Sequence, residues 1–282
     1  MVTGAVLVLS IVFGIVVGLA LGLTGGGGSI FAVPLLVYGL GLSAREAIAI
    51  SLVAVALTAG TGVVEAARRR VIEWRAGLIF ALAGVAAAPA GVWLGQYAAD
   101  GTTLGAFALL MLAVALRLLI RARHAPAEAA VIRARIAPEA VTDAGTVCHY
   151  ARDGRLRLNA PCSAALVVAG LVVGVLSGFF GVGGGFLIVP ALILITDMGI
   201  HRAVATSLFV ITLVGLSGVV SNVAGGRSID PAIAGLFVLG GAIGMIGGRG
   251  LARYLAGRTL QLVFAILMAA TGLFMLAERL FV

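Results

Sequence analysis

One stretch of this sequence is written twice. Gly22-Leu23-Thr24-Gly25-Gly26-Gly27-Gly28-Ser29-Ile30-Phe31-Ala32-Val33-Pro34 returns 156 residues later as Gly178-Phe179-Phe180-Gly181-Val182-Gly183-Gly184-Gly185-Phe186-Leu187-Ile188-Val189-Pro190. The register holds without a gap from 14–64 to 170–220, with 19 of 51 positions identical, more than a shared apolar, glycine-rich composition produces. We read an internal duplication. Each glycine cluster interrupts a hydrophobic run in which a helix would otherwise continue. Paired interruptions in corresponding segments of two membrane-embedded halves point to a transport site.

Composition supports the membrane part of that reading. Hydrophobic residues make up 62% of the chain and charged residues 11%, where a soluble domain carries about a quarter charged residues. Several apolar runs approach or exceed the roughly 20 residues that cross a bilayer. A net charge of +8 in a soluble chain would suggest nucleic acid. Here the arginines stand mainly at the ends of apolar runs, which suits headgroups and topology, so no nucleic-acid partner is expected. The first apolar run lacks a basic leader and leads straight into the glycine motif, so it reads as a retained span rather than a cleaved signal. Cys148 and Cys162 form neither a disulfide framework nor a metal-ligand spacing and are expected to be bystanders.

The expected fold is an all-α, polytopic membrane protein of two homologous halves, each containing a glycine-broken helix. Residues 1–121 form the first transmembrane repeat, 122–160 a polar, Arg-rich cytoplasmic linker, and 161–282 the second repeat. The first half has apolar segments at 4–23, 29–42, 46–66, 75–98 and 103–121, and the second at 162–179, 185–197, 203–223, 231–254 and 259–281. The second segment of each half is short: about 13 residues at about 1.5 Å each spans roughly 20 Å, against a hydrocarbon core of roughly 30 Å. Two architectures fit, five crossing segments per half in inverted orientation, or eight spans plus two re-entrant half-helices. Arg68, Arg69, Arg70 and Arg75 mark one cytoplasmic loop and the linker another. In the second half Arg202, Arg249, Arg253 and Arg258 stand against a single Arg227. Inverted halves place all of these groups except Arg227 on the cytoplasmic side, so the five-plus-five arrangement is favoured. Within the linker, Asp153-Gly154 between Val147–Tyr150 and Leu156–Leu158 has the form of a small hairpin.

A helix break in lipid must face protein or a water-filled cavity, because no backbone N–H or C=O can stay unpaired in hydrocarbon. Gly25, Gly26, Gly27 and Gly28, and Gly181, Gly183, Gly184 and Gly185, therefore belong in the protein interior. Past each break a new half-helix begins, at Ser29 and at Gly185. Its free N–H groups and positive dipole end suit an anion without any charged side chain. Ser29 can cap its helix or donate to a ligand. Pro34 and Pro190 lie within the short helices and weaken their hydrogen-bond ladders. Ser51 and Ser207, in the repeated Ala-x-Ala-x-Ser-Leu, fall well inside the next span. They can offer hydroxyls to the breaks or serve interhelical bonding. Thr58, Thr61, Ser217 and Asn222 are weaker candidates for a path. Gly14, Gly18 and Gly22, spaced four apart, read as a packing face. Arg45, His201 and Arg202 mark helix ends. Glu65 and Arg249 are the deepest ionisable residues and lie close enough to helix ends to snorkel.

Soluble-enzyme patterns are absent: no phosphate-binding loop with its Lys-Ser/Thr, no paired carboxylates within the spans, no zinc spacing. Neither an enzyme activity, a metal nor a cofactor is expected. The partners expected are a small anionic substrate and the lipid bilayer, and a homo-oligomer is compatible with the sequence.

The doubled motif, each copy followed by Ala-x-Ala-x-Ser-Leu, resembles the sulfite exporter TauE/SafE family, also called the toluene-sulfonate uptake permease group. The resemblance runs from about residue 5 to 280. It implies a multi-pass carrier in a bacterial inner membrane that moves a sulfur-containing anion such as sulfite or an organosulfonate. The long 122–160 linker departs from the compact family pattern. Two other classes fit the same features, a non-transporting membrane partner or sensor and an anion channel.

Overall fold

The two glycine clusters divide the fold as they divide the sequence. The computed structural model describes residues 4–124, 148–150, 156–157, 159–196, 198–226, 229–252 and 257–281. The first half consists of α1 (Gly4–Thr24), a short helix α2 (Gly27–Gly39), α3 (Ala44–Arg68), α4 (Trp74–Tyr97) and α5 (Asp100–His124). The second consists of α6 (Ala160–Phe180), α7 (Gly185–Thr196), α8 (Ile200–Ala224), α9 (Pro231–Ala252) and α10 (Gly257–Phe281). Among the described residues, α1, α3, α4, α5, α6, α8 and α9 are long and apolar enough to cross a membrane. α2, α7 and the apolar stretch Leu262–Glu278 of α10 are shorter. The expected two sets of five apolar segments are present.

Helix ends follow local chemistry. Ser43 and Glu46 form a reciprocal capping box at the start of α3, which satisfies two otherwise orphan donors. Asp230 Oδ1 accepts from the N–H groups of Ala232 and Ile233 at the start of α9. The outer faces of the spans carry exposed Leu82, Val168, Val220, Leu239 and Ile246, the surface that hydrocarbon solvates. The interior holds Phe80, Phe107, Phe237, Leu52 and Ile188.

Small residues set the helix pairing. Gly14, Gly18 and Gly22 of α1 meet the α9 backbone; a Cβ on Gly18 would stand 2.0 Å from the Gly241 carbonyl oxygen. Close backbone approach of this kind is how small residues pack membrane helices. Gly240, Gly244 and Gly248 of α9 sit against Ile11, Ile15 and Leu19, so α1 and α9 run the same way. Gly170, Gly174 and Gly178 of α6 sit against Phe80, Gly84 and Ala88, so α4 and α6 also run together.

The two long central helices oppose each other. Leu208, Thr212, Gly215 and Gly218 of α8 meet Gly62, Gly60, Ala56 and Leu52 of α3. α9 runs with α3, through Gly241 on Thr58 and Met245 on Gly62, and α4 runs with α8, through Gly77 on Thr206 and Gly84 on Val214. It follows that α1 and α6, α3 and α8, and α4 and α9 each run in opposite directions, although each pair occupies matching positions in the repeat. One end of the bundle gathers the end of α3, the start of α4, the start of α8 and the end of α9, tied by Arg249 to Glu65 at 2.6 Å and Arg202 to Glu73 at 4.0 Å. At the other end Arg45 reaches the carbonyls of Gln96 and Ala98, at 3.4 Å each.

Within the linker, β1 (His149–Tyr150) pairs antiparallel with β2 (Leu156–Arg157), His149 opposite Arg157 and Tyr150 opposite Leu156. These strands flank the expected Asp153-Gly154 turn, which itself lies outside the described residues, as does 125–147. The reading of the cysteines as bystanders is corrected: Cys148 and Cys162 form a disulfide with their Cα atoms 5.0 Å apart. The folded-back hairpin brings Cys148 to the start of α6, and the Cys148 N–H donates to the Ile195 carbonyl at the end of α7 at 3.0 Å. Two cysteines 14 positions apart carry no such information until that hairpin is in place.

Candidate functional site

α1 and α6 stop at matching residues and in the same way. Gly25 and Gly181 both adopt φ of +73°. The N–H of Gly25 donates to the Leu21 carbonyl at 2.7 Å, and that of Gly181 to the Ser177 carbonyl at 2.9 Å. An L-residue in this left-handed conformation costs about 1–2 kcal/mol. Space forbids one as well: a Cβ on Gly25 would stand 2.1 Å from Val204 Cγ1, and one on Gly181 would stand 2.7 Å from Ile48 Cα.

The carbonyls freed by each break are held by the opposite half. Ser207 Oγ donates to the Gly25 carbonyl at 2.7 Å, and Ser51 Oγ donates to the Gly181 carbonyl. Each hydroxyl also faces a carbonyl of its own helix, Val204 at 2.8 Å and Ile48 at 2.9 Å, so one proton is shared between two acceptors. The sequence left Ser51 and Ser207 either offering hydroxyls to the breaks or bonding between helices, and these bonds run between helices to the breaks themselves. Their protons serve the break carbonyls.

Beyond the turns the two breaks touch. A Cβ on Gly26 would stand 2.7 Å from the Gly185 carbonyl oxygen, and one on Gly185 would stand 2.6 Å from that of Gly26. Gly183 fits between Val55 of α3 and Ile211 of α8, both near the middle of their helices. α2 and α7 thus begin side by side in the interior and run to opposite ends of the bundle. Ser29 Oγ donates to the Gly26 carbonyl at 2.8 Å, and Thr24 Oγ1 accepts from the Gly28 N–H at 3.2 Å. The N–H groups of Gly26, Gly27, Val182, Gly183 and Gly184 have no hydrogen-bond partner among the described residues. Buried N–H groups at two adjoining helix starts favour negative charge, and the carbonyls of Gly26 and Gly185 lie between them.

The prolines act on the short helices differently. α2 passes from 3-10 geometry over Gly27–Phe31 through Ala32–Pro34 to π geometry over Leu35–Gly39. Pro34 has no N–H to donate, and the wider turn follows it. α7 accommodates Pro190 inside a continuous helix of 12 residues.

The remaining candidates are engaged in packing. Thr61 donates to the Thr58 carbonyl, Ser217 to that of Val85 and Asn222 to that of Gly218. Glu65 and Arg249 pair with each other across the halves, and Glu65 also binds Arg69 at 2.7 Å. Arg45 and the pair His201 and Arg202 stand at opposite ends of the bundle. Glu73, between α3 and α4, donates its N–H to Thr206 Oγ1 at 3.0 Å. Burial holds its carboxyl above the usual range, against the pull of Arg202 and Arg75. Among the described residues no group of His, Cys, Asp or Glu is placed to hold a metal ion. Two break residues escaped the sequence reading, Thr24 and Ser177. Their signal is positional: each is a lone hydroxyl in the last turn before a break, opposite Phe180 and Leu21 in the repeat.

Residues 10–275 match the family model described as sulfite exporter TauE/SafE. The chain is 35% identical over 281 residues to a probable membrane transporter protein of Xylella fastidiosa (strain 9a5c), covering 96% of this chain and 95% of that one. It is 26% identical over 284 residues to the probable membrane transporter protein YunE of Bacillus subtilis (strain 168), covering 97% and 98%. No solved structure matches the chain. The match takes in both glycine breaks, the serine of each following helix and nearly the whole of both halves, and the chain belongs to the sulfite exporter TauE/SafE family.

Proposed function

We propose that the protein is a secondary carrier that moves a small sulfur-containing anion, of the sulfite or organosulfonate class, across a bacterial inner membrane. The observation that carries this reading is the contact of Gly26 with Gly185, which gathers the unpaired N–H groups of two half-helix starts at one buried point. Such a point stabilises negative charge through backbone dipoles alone. Matching helices that run oppositely let one half rock against the other, so that the same point opens to each side in turn. The end carrying Arg69, Arg202 and Arg249 faces the cytoplasm in this reading, as the excess of basic residues there favours.

The test is counterflow in liposomes holding the purified protein alone. Labelled sulfite or methanesulfonate is expected to accumulate against its unlabelled form, with a rate that saturates. Gly184→Val, which forces a side chain into a left-handed position 2.5 Å from Val173 Cγ1, is expected to abolish it. Absence of flux from well-folded wild-type protein rules out the carrier reading, and flux that never saturates replaces it with a channel.

A further inference from the structure

The two breaks share a backbone path but differ in how their donors are met. In the first, Thr24 Oγ1 takes the Gly28 N–H and Ser29 Oγ caps the Gly26 carbonyl. The repeat puts Phe180 and Gly185 at those two positions, so the second break has neither hydroxyl. In their place it has Ser177, where the first half has Leu21. Ser177 is 1% exposed and its Oγ has no hydrogen-bond partner among the described residues. Its Cβ lies 3.5 Å from where a Cβ on Gly184 would stand, so the side chain faces the break. Beside it are the unpaired N–H groups of Val182, Gly183 and Gly184.

Native proteins satisfy nearly all buried polar groups, and an exception needs a reason. A backbone N–H can only donate, and a hydroxyl turns to donate where it can. Four donors around one glycine turn lack a common acceptor, and an oxyanion supplies one. We propose that the second break, rather than the first, is the seat of the transported anion, with Ser177 its side-chain donor. This rests on the carrier reading above and narrows it.

The same surroundings choose a charge. None of the segments meeting this turn, 20–31, 48–55, 173–186 and 204–211, carries a basic residue. Moving an ion out of water costs energy that grows with the square of its charge, while its attraction to fixed neutral donors grows only in proportion to charge. A seat without a cation therefore prefers a monoanion, such as an organosulfonate or hydrogen sulfite, to a dianion such as sulfate.

Titration calorimetry on the detergent-purified full chain tests both statements, with methanesulfonate and sulfate as probes. Wild type is expected to bind methanesulfonate at least tenfold tighter than sulfate. Ser177→Ala is expected to weaken methanesulfonate about tenfold, one hydrogen bond of about 1.4 kcal/mol. It should leave the ligand-free melting temperature unchanged or higher, because the hydroxyl has no partner to lose. Methanesulfonate binding unaltered in Ser177→Ala overturns the assignment of Ser177 and leaves the carrier reading standing. Sulfate binding equal to or tighter than methanesulfonate overturns the charge preference. A wild-type protein that is folded and binds neither probe overturns the carrier reading and this inference with it.

Discussion

Ser207 donates its hydroxyl to the carbonyl of Gly25 at 2.7 Å, across 182 residues of sequence. Ser51 makes the matching bond to Gly181 from the other half. Each half thus holds open the break of the other. Interhelical side-chain hydrogen bonds in membranes average about 0.6 kcal/mol and reach about 1.7. Both serines are fully buried, and deleting one leaves a buried carbonyl without its partner, so the upper part of that range applies. Ser207→Ala and Ser51→Ala are each expected to destabilise the protein by about 1–1.7 kcal/mol. Thermal unfolding in detergent reads this directly, and two unchanged melting curves would count against the reciprocal capping.

Strain and crowding can be separated at two glycines. Gly226, just past α8, has φ of +72° with nothing near a Cβ, whereas Gly181 has φ of +73° with the Ile48 backbone in the way. Gly226→Ala should therefore cost only the conformational penalty, about 1–2 kcal/mol. Gly181→Ala adds a collision with main chain that no rotamer change relieves, and is expected to reduce the yield of monodisperse protein several-fold. Size-exclusion profiles of the two variants made side by side decide it. Equal profiles would show that the α6 break is not packed against α3 as described.

How much of this was readable in advance depends on the kind of signal. The ten apolar segments, the two breaks and the Gly14, Gly18, Gly22 seam are local patterns of composition and spacing, and they appear where the pattern puts them. Ser51 and Ser207 stood out as well, because the motif and the serine repeat with one offset. What the hydroxyls do was not legible, since a serine inside a helix bonds its own turn, a neighbouring chain or a ligand with equal ease. The Cys148–Cys162 bond accompanies the pairing of β1 with β2, which no periodicity announces. Ser177 gave no such signal, because it stands opposite Leu21 and breaks the repeat instead of following it.

Glu73 offers a pH-dependent test away from the breaks. Burial raises its carboxyl above the usual range, outweighing Arg202 at 4.0 Å and Arg75. The folded state then holds its proton more tightly than the unfolded chain. Its contribution to stability is full in acid, below the unfolded value, and is lost as pH rises through the folded one. Glu73→Gln stays neutral throughout and keeps the N–H bond to Thr206 Oγ1. The variant should melt above wild type at pH 8, with the difference vanishing near pH 4. A variant less stable than wild type at pH 8 would mean that the Arg202 pair outweighs burial.

Two rules about compartment oppose each other at the cysteine pair. The basic end of the bundle faces the cytoplasm in the reading proposed above, yet Cys148 and Cys162 are bonded at that same end, where the linker enters α6. Cytosolic reductants keep thiols reduced, and structural disulfides persist in oxidising compartments. Both cysteines are buried, so the pair can stay packed as thiols with the α7 contact from Cys148 to Ile195 intact. The expectation follows that the two residues are free thiols in growing cells and close to a disulfide only after air exposure during purification. Acid-quenching intact cells, denaturing, and labelling with a mass-tagged maleimide should add two tags to wild type and one to Cys148→Ser. A wild-type protein that takes no tag until a reductant is added carries the bond in the cell. That result would place the linker outside and reverse the orientation of both halves, while leaving the buried meeting of Gly26 and Gly185 untouched.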